Sequence, residues 1–436
     1  MKIIPFLSVF LTYSLLTFAQ KAPEKIYLIK AGKFYDSQKA TFLKDQQILV
    51  KGDKIVEVGP NVNAPKEAHV LNFSDCTVTP GLIDAHTHLL FSQKPNAPLH
   101  TDLWENSDVD RALRAVAFAK SYLESGFTTI RDVGNSGQYL DDQLDKAIRA
   151  NHVVGPRMYV SGPILSPASG QFSRLGTQNQ RLIDQDYRVI KNADDARLAV
   201  EEHIGYGVDF IKVVVNNDRI VMDTDALKTI VQTAHRNHYQ VTAHATHEQS
   251  ILEAIDAGVD GIEHGYFLSD SALTLMSKKG IYLVPTDISF DTYKRSVPIS
   301  GYTVSDEEIR SQLTALQERL RKAIKKGIPI VAGSDAYLDL NIPRGEYAKD
   351  VLVAYYESGV SPADVMAFAT RNAAKILWAE NRIGVVKKDS YADLVVFQGD
   401  LEKDFKKVFY NIRLVMKGGT VYSNNKPEDT FLTKAR

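Results

Sequence analysis

The sequence predicts an α/β fold, a TIM (β/α)8 barrel with a small β-sandwich domain formed from both chain ends. In the middle of the chain, eight strand-like apolar runs alternate with helical stretches, which is typical of βα units and a parallel sheet. Both ends instead carry short alternating strands with tight turns. The residues suited to chemistry follow many different strands, and they converge only if the sheet closes. A doubly wound open sheet is the structural alternative.

Length and charge bound the class of protein. The chain has 436 residues, of which 44% are hydrophobic, and a formal net charge of −1. This length is ample for a large core. The absence of a long run of like charge argues against nucleic acid as a partner, so a small molecule or a dipeptide is the expected one. Cys76 is the only cysteine, which excludes an intramolecular disulfide and argues against a cysteine-based metal site.

Residues 1–19 have the pattern of a cleavable signal peptide. Lys2 supplies the positive start, an apolar stretch covers 3–16, and Ala19 is a small residue suited to cleavage. A membrane anchor is the alternative, but the apolar stretch is short for a span and lacks a flanking basic cluster. The segment therefore predicts a periplasmic or secreted protein without stable membrane insertion.

The β-rich ends are predicted to form one composite domain from residues 25–78 and 383–425. Strands are expected at 26–29, 47–50 and 54–58, and Gly52-Asp53 is a signal for a tight hairpin between the last two. Near the other end, 392–397 and 412–416 have the same strand pattern.

The barrel is predicted to span residues 79–382. Helical periodicity is clearest at 110–125, 224–237 and 306–326. The predicted barrel strands are 78–83, 128–132, 157–161, 210–215, 240–243, 261–263, 281–285 and 328–332.

Two histidines end the first of these strands. Side chains two residues apart on a strand point the same way, so His86 and His88 aim their imidazoles at one point. That geometry chelates a divalent metal. Two hydrogen-bonded or solvated histidines are the alternative.

Four further residues of ligand type follow later strands. A lysine inside an apolar strand is costly to bury charged, so Lys212 is expected to form an ion pair, to snorkel, or to be carboxylated to a carbamate. His244 and His264 are structural or ligating histidines, and Asp335 is a helix N-cap or a ligand. Together with His86 and His88 they make six ligand-type residues on five strands, which favours a shared metal site.

The order His-x-His, Lys, His, His, Asp resembles the amidohydrolase superfamily of metal-dependent hydrolases, over roughly residues 25–422. The resemblance implies two divalent ions, with zinc expected and manganese, cobalt or iron as alternatives, that share a hydroxide. It also implies that Asp335 accepts the proton of the attacking water and passes it to the leaving amine. By the family pattern His86, His88 and Asp335 hold one ion, His244 and His264 hold the other, and N6-carboxylated Lys212 bridges them.

Segments 262–265 and 129–134 look most like the branch of imidazolonepropionase-like enzymes and secreted Xaa-Pro dipeptidases. That branch often has a Gly-Gly-His after the third strand, where this chain has Gln171, which donates a hydrogen bond but carries no charge. The expected activity is hydrolysis of amide bonds in dipeptides or N-acyl amino acids. A cyclic-amide hydrolase or an aminohydrolase on the same metals is the first alternative, and a barrel that binds without catalysis is the second.

Substrate contacts are expected from loops at the strand ends. Arg131 could clamp a peptide carboxylate, or it could pair with Asp132 or another core carboxylate. Glu263 is expected to point away from the site, because neighbouring strand residues face opposite sides. Self-association into a homo-oligomer is implied by the resemblance alone. The candidate substrate residues are Arg131, Gln171, Arg174, Asn216 and Tyr266.

Overall fold

The computed structural model describes residues 24–94, 96–172, 175, 177–217, 219–297 and 303–422. The predicted signal peptide, Arg174, and residues 423–425 of the predicted C-terminal β segment lie outside the described residues. Within the described ranges, no helix is both long enough and apolar enough to cross a bilayer.

Strands and helices alternate along the chain, which gives the structure a mixed α/β content. The strands are β1 (Ile26–Asp36), β2 (Thr41–Lys51), β3 (Lys54–Gly59), β4 (His69–Pro80), β5 (Leu82–Thr87), β6 (Phe127–Asp132), β7 (Arg157–Val160), β8 (Ile164–Ser166), β9 (Tyr187–Val189), β10 (Ile211–Val214), β11 (Val241–Ala245), β12 (Gly261–His264), β13 (Tyr282–Val284), β14 (Leu394–Gln398), β15 (Ile412–Lys417) and β16 (Thr420–Tyr422).

The helices lie between these strands. They are α1 (Thr101–Glu105), α2 (Asp108–Glu124), α3 (Leu140–Arg149), α4 (Gln180–Asp186), α5 (Ala193–Tyr206), α6 (Thr224–Arg236), α7 (Glu248–Ala257), α8 (Asp270–Lys279), α9 (Phe290–Ser296), α10 (Asp306–Lys325), α11 (Arg344–Ala348), α12 (Asp350–Glu357), α13 (Pro362–Phe368), α14 (Arg371–Ile376) and α15 (Phe405–Phe409), with a 3-10 turn at Thr177–Asn179.

One sheet contains strands from both chain ends. Its seven strands run in the order β16-β15-β14-β4-β1-β2-β3. Alternate residues such as Ile29, Ile48 and Val396 form its own apolar cluster. The hairpin between β2 and β3 turns at Gly52, whose φ of 59° is in the left-handed region that glycine adopts without strain. The N- and C-terminal strands therefore share one hydrogen-bonded layer.

The predicted strand 78–83 is wrong as a single element. Residues up to Pro80 belong to β4 of the seven-stranded sheet, and β5 begins at Leu82 in a different sheet. Between them the Gly81 amide donates to the Asp393 carbonyl at 2.8 Å. A Cβ at position 81 would lie 2.0 Å from Thr128 Oγ1, so only glycine fits where the chain passes from one sheet to the other.

The middle strands form two parallel sheets. One has the order β5-β6-β7, and the other has the order β13-β12-β11-β10-β8-β9. Hydrogen bonds join them at two places. Near one edge the Asp209 amide donates to the Val160 carbonyl at 2.8 Å. At the other, segment 329–332 contacts both sheets, since Leu283 N donates to Pro329 O at 2.9 Å and Ala85 N donates to Ala332 O at 2.9 Å.

The predicted eighth strand at 328–332 is not a regular strand, although its residues occupy the expected place. The structure has a single parallel bridge there, between Leu283 and Ile330. The segment alternates its partners between β13 and β5, so no continuous ladder forms with either strand. Several of its main-chain groups nevertheless have partners, among them the Val331 amide, which donates to the Leu283 carbonyl at 3.0 Å, and the Ala332 amide, which donates to the Phe368 carbonyl at 3.1 Å.

Candidate metal centre

Three of the predicted histidine ligands surround the carboxylate of a fourth predicted ligand, Asp335. Ligand atoms of His86, His264 and Asp335 all lie within 4.8 Å of one another. Asp335 Oδ1 is 3.6 Å from His86 Nε2 and 3.4 Å from His88 Nε2. Asp335 Oδ2 is 3.9 Å from His264 Nδ1. Residues separated by some 250 positions in the chain thus meet at one point, as the sequence analysis expected.

His244 and Lys212 complete the cluster. The ring centroids of His244 and His264 are 4.6 Å apart. Lys212 lies on β10 beside the strand that carries His244, and only 2% of its surface is exposed. Burial, helped by the Arg131 charge, lowers the pKa of its amine, while the carboxylates of Glu263 and Asp335 act in the opposite direction. All six predicted ligand residues are therefore neighbours.

The backbone bends at two of these residues. His264 and Asp335 have φ values of 68° and 51°, in the left-handed region that residues with a Cβ seldom adopt. Such positive φ values cost free energy and cluster at functional sites. At His264 the bend ends the strict alternation of β12, so that His264 and the preceding residue both face the cluster.

Burial keeps the imidazoles neutral. It lowers the pKa of His88 to about 4 and that of His244 to about 3, and it holds the pKa values of His86 and His264 well below their usual range. Burial also lowers the pKa of Lys212 to about 8 and raises the pKa of Asp335 to about 8. Neutral imidazoles near neutral pH can each offer a nitrogen lone pair.

Hydrogen bonds fix which nitrogen carries that lone pair. His86 Nδ1 lies 2.6 Å from Glu263 Oε2, and His88 Nδ1 lies 2.7 Å from the Gly134 carbonyl oxygen. Both oxygens only accept, so both Nδ1 atoms must carry the proton. His264 Nδ1 lies 2.8 Å from the hydroxyl of Thr286, which itself donates to the Pro285 carbonyl and therefore accepts from the ring. In all three residues Nε2 keeps the free lone pair.

This donor set fits a divalent metal. Imidazole nitrogen and carboxylate oxygen are preferred ligands of zinc and of related divalent ions. When a histidine binds a metal through one ring nitrogen, the other ring nitrogen usually donates a hydrogen bond to a nearby acceptor.

Glu263 was placed wrongly by sequence reasoning. It was expected to point away from the site, but its carboxylate is fully buried and accepts from His86 Nδ1, from Thr242 Oγ1 at 2.5 Å and from Arg131. Glu263 faces the same side of the sheet as His244, its register partner on β11, and it is His264 that departs from the alternation through its positive φ. The one available signal was Arg131, because a buried guanidinium requires a carboxylate partner.

Arg131 is used inside the strand layer. Nη1 donates to the Tyr282 hydroxyl at 2.9 Å, Nε donates to the Ala85 carbonyl at 2.6 Å, and Nη2 pairs with Glu263. The guanidinium is 2% exposed. The structure therefore favours the alternative in which Arg131 pairs with a core carboxylate rather than with a substrate. The partner is Glu263 and not Asp132.

Asp84 is a further positioning residue that the sequence analysis did not identify. Its Oδ1 accepts from the amides of His86 at 3.1 Å and Ser334 at 2.9 Å, and its Oδ2 accepts from the Ser334 hydroxyl at 2.5 Å. One buried carboxyl thus ties the strand of His86 to the residue before Asp335. The motif Asp84-Ala85-His86 was visible in the sequence, but nothing local indicated this partner.

The other substrate candidates divide into two groups. Gln171 Nε2 is 3.4 Å from His244 Nδ1, and the Tyr266 hydroxyl is 3.4 Å from His264 Nδ1, so both side chains border the cluster. Asn216 instead holds the loop after β11, since it donates to Thr246 Oγ1 at 2.8 Å and accepts from the Thr246 amide at 3.0 Å. Arg174 is outside the described residues.

A cavity of about 670 Å³ opens beside the cluster. Asp335, Thr286 and Tyr266 form its inner end, and side chains from α9 and α10 form part of its outer wall. Its volume is within the range of small-molecule sites, about 300–1,000 Å³. A substrate therefore has access to the carboxylate from this side.

Neutral imidazoles and a carboxylate gathered at the ends of parallel strands are typical of hydrolases that bind divalent metals. A model of the Amidohydrolase family matches residues 77–422, and the chain belongs to this family. The resemblance predicted from the ligand order is thereby confirmed.

Individual relatives support the predicted branch. A solved structure described as a Xaa-Pro dipeptidase with bound methionine in the active site is 26% identical, with a TM-score of 0.80, and the match covers 92% of this chain and 100% of that one. Ochratoxinase of Aspergillus niger is 25% identical over 413 residues, which are 86% of this chain and 82% of that protein. An uncharacterized protein of Mycobacterium tuberculosis is 28% identical over 338 residues, covering 74% of this chain and 79% of its own length.

Proposed function

We propose that this amidohydrolase is a binuclear metal-dependent hydrolase that cleaves amide bonds in peptide-like compounds, dipeptides or N-acyl amino acids. The observation that carries the proposal is the grouping of His86, His88 and His264 around Asp335, in which the free Nε2 atoms of His86 and His88 lie 3.6 and 3.4 Å from Asp335 Oδ1. The likeness to a Xaa-Pro dipeptidase and to ochratoxinase supports an amide substrate.

In this proposal each predicted ligand has a role. His86, His88 and Asp335 hold one ion, His244 and His264 hold the other, and Lys212 joins them as its N6-carboxylated form. Zinc is the proposed ion. Bound there, two such ions would polarise the substrate carbonyl and acidify a water molecule. An Asp335 carboxylate oxygen takes the proton of the attacking water and passes it to the leaving amine nitrogen.

The proposed fold around this site is a closed (β/α)8 barrel with a β-sandwich domain. Two observations support closure, namely the contacts of segment 329–332 with both parallel sheets and the Asp209–Val160 hydrogen bond between them. The shared sheet of the N- and C-terminal strands supports a composite domain. A closed ring of strands explains how residues on many strands reach one point.

The proposed location is periplasmic or extracellular, and the support is the signal-like pattern of residues 1–19. Self-association of the chain is proposed with it on family resemblance. N-terminal sequencing of the exported protein tests the first statement, and light scattering tests the second.

The test of the site is Lys212→Ala. The variant is expected to hold fewer than two ions per chain and to lose amide hydrolysis, because the bridging group is gone. Elemental analysis gives the ion count. A carbamate carbon signal from 13C-bicarbonate, present in the native protein and absent from the variant, reports the carboxylation directly.

Lys349→Met is the matched control, since Lys349 is also buried but lies outside the cluster beside Glu346. Two ions and full activity are expected in this variant. Two ions in Lys212→Ala would refute the proposed bridge. A substrate panel of dipeptides, N-acyl amino acids, lactams and aminopurines, with product analysis, separates amide hydrolysis from cyclic-amide hydrolysis and deamination.

A further inference from the structure

The cavity beside Asp335 has a lining unlike the cluster itself. Tyr266 and Phe267 follow β12, Tyr293 lies on α9, Leu316 lies on α10, and Leu338 follows Asp335. Aromatic rings and aliphatic side chains make up most of the wall. These four separate parts of the chain contribute to one apolar surface that leads to the site.

Charge is nearly absent from this wall. Asp335 is the only charged side chain among the described residues that line the cavity. The guanidinium of Arg319 packs 5.6 Å from the Tyr266 ring centroid, but it donates to Asp287 and to the carbonyl oxygens of His264 and Pro285 behind the ring. The described lining therefore presents no cation to a substrate carboxylate.

A ligand group that enters this cavity leaves water and becomes surrounded by aromatic rings and methyl groups. A charged group would lose its hydration without gaining a counter-ion, which is unfavourable. An apolar group gains from leaving water, and an aromatic ring offers the largest such area together with ring contacts to tyrosine and phenylalanine. The chemistry of the wall selects an uncharged apolar group.

We propose that this cavity is the subsite for an aromatic or large aliphatic group next to the scissile bond, so that the preferred substrates are amides with such a group on one side of the carbonyl. This inference rests on the proposed amide hydrolysis and names its substrate class. Leu316 is then a specificity-determining residue, because it borders the cavity from α10 and is not one of the proposed ligands.

Three neutral probes test the inference. N-acetylglycinamide is the parent, N-phenylacetylglycinamide adds a ring on the acyl side, and N-acetylphenylalaninamide adds one on the amine side. At least one aromatic probe is expected to exceed the parent about ten-fold or more in kcat/KM with the metal-loaded enzyme. The same preference is expected in dissociation constants measured by calorimetry in an Asp335→Asn background.

Leu316→Trp fills the cavity and is expected to abolish this preference. Leu198→Trp is the matched control, because Leu198 is 47% exposed on α5 and does not line the cavity. The ratio between probes is the readout, since a general folding defect lowers all three values together.

The outcomes separate the two proposals. If the protein binds the aromatic probes more tightly than the parent, loses this preference in Leu316→Trp and hydrolyses none of the probes, the subsite is supported and the amide-hydrolase function is overturned. Hydrolysis without an aromatic preference, or a preference that Leu316→Trp leaves intact, overturns the subsite alone. Neither hydrolysis nor preferential binding overturns both.

Discussion

At the scale of single residues, three different acceptors hold the three imidazoles that surround Asp335. A carboxylate holds His86, a backbone carbonyl holds His88, and a hydroxyl holds His264. Their common effect is to place the proton on Nδ1 and leave Nε2 free. Only one of these acceptors, Glu263, carries a charge, so it has the strongest effect on the basicity of its histidine.

Glu263→Gln is expected to weaken metal binding by about 10–100-fold, because a neutral amide orients His86 but no longer increases its electron donation. Competition with a chelating dye measures the affinity. Loss of the Arg131 ion pair will also lower stability, so affinity and the free energy of unfolding have to be measured on the same samples.

Asp393→Asn supplies the control for that second effect. Asp393 is another buried carboxylate paired with an arginine, 3.2 Å from Arg157, but it lies away from the cluster at the edge of β14. This variant is expected to lose stability and keep its metal affinity. Equal affinity in Glu263→Gln and the native protein would show that Glu263 only supports the fold.

Sequence reasoning reached the cluster but not its supports. The six predicted ligands were recognisable because a ligand type at a strand end is a local pattern; they are His86, His88, Lys212, His244, His264 and Asp335. The orientation of Glu263 follows from its pairing opposite His244 on β11, and the partner of Asp84 lies 250 positions away. Neither contact can be predicted from a short stretch of sequence.

At the scale of elements, helices were predictable and strand boundaries less so. The expected helix 306–326 matches α10, whose start is fixed by Ser305 and Glu308 in a capping box. The expected strand 78–83 failed because one apolar run serves two sheets, and steric contact at Gly81 decides where it divides. Caps are local signals, whereas the choice of sheet is set by distant partners.

Gly333 tests how tightly segment 329–332 fits against β5. A Cβ at this position would lie 2.6 Å from His86 Cβ and 2.4 Å from Val284 Cγ1, which is closer than atoms can approach. Gly333→Ala is therefore expected to lower the free energy of unfolding by about 1–3 kcal/mol. Urea denaturation measures the change.

Gly205→Ala is the paired control with the opposite sign. Gly205 lies within α5, and among the described residues no heavy atom other than its chain neighbours and its own helix backbone lies within 4 Å of the added Cβ. Alanine should stabilise the protein by about 0.5–1 kcal/mol through backbone entropy. A Gly333→Ala variant as stable as the native chain would mean that the segment is packed more loosely against β5 than described.

At the scale of the whole molecule, charged residues join the sheet of the chain ends to the parallel strands. Lys417 on β15 donates its ammonium group to the carbonyl of Gly155, which precedes β7. Arg157 on β7 pairs with Asp393, which precedes β14, and also stacks 4.4 Å from the Tyr391 ring centroid. Strands from the middle and the end of the chain therefore meet at one partly buried junction.

Because of this junction, the free energy of unfolding changes with pH in the alkaline range. Burial, helped by the charge of Arg157, lowers the pKa of Lys417 from 10.5 to about 8, while Asp393 and Asp145 act in the opposite direction. Between these two pH values the unfolded chain binds more protons at this position than the folded chain does. The free energy of unfolding contributed by Lys417 therefore rises as the pH rises from about 8 to about 10.5.

Lys417→Met removes this dependence, and comparing the two proteins cancels the titration of tyrosines and other groups that both contain. Between pH 8 and pH 10, the free energy of unfolding of the native chain should rise by more than about 1 kcal/mol relative to that of the variant, because one pKa unit corresponds to about 1.4 kcal/mol. Urea unfolding at a series of pH values measures the difference. A constant difference across that range would mean that the Lys417 amine keeps its ordinary pKa, and that the junction holds it charged.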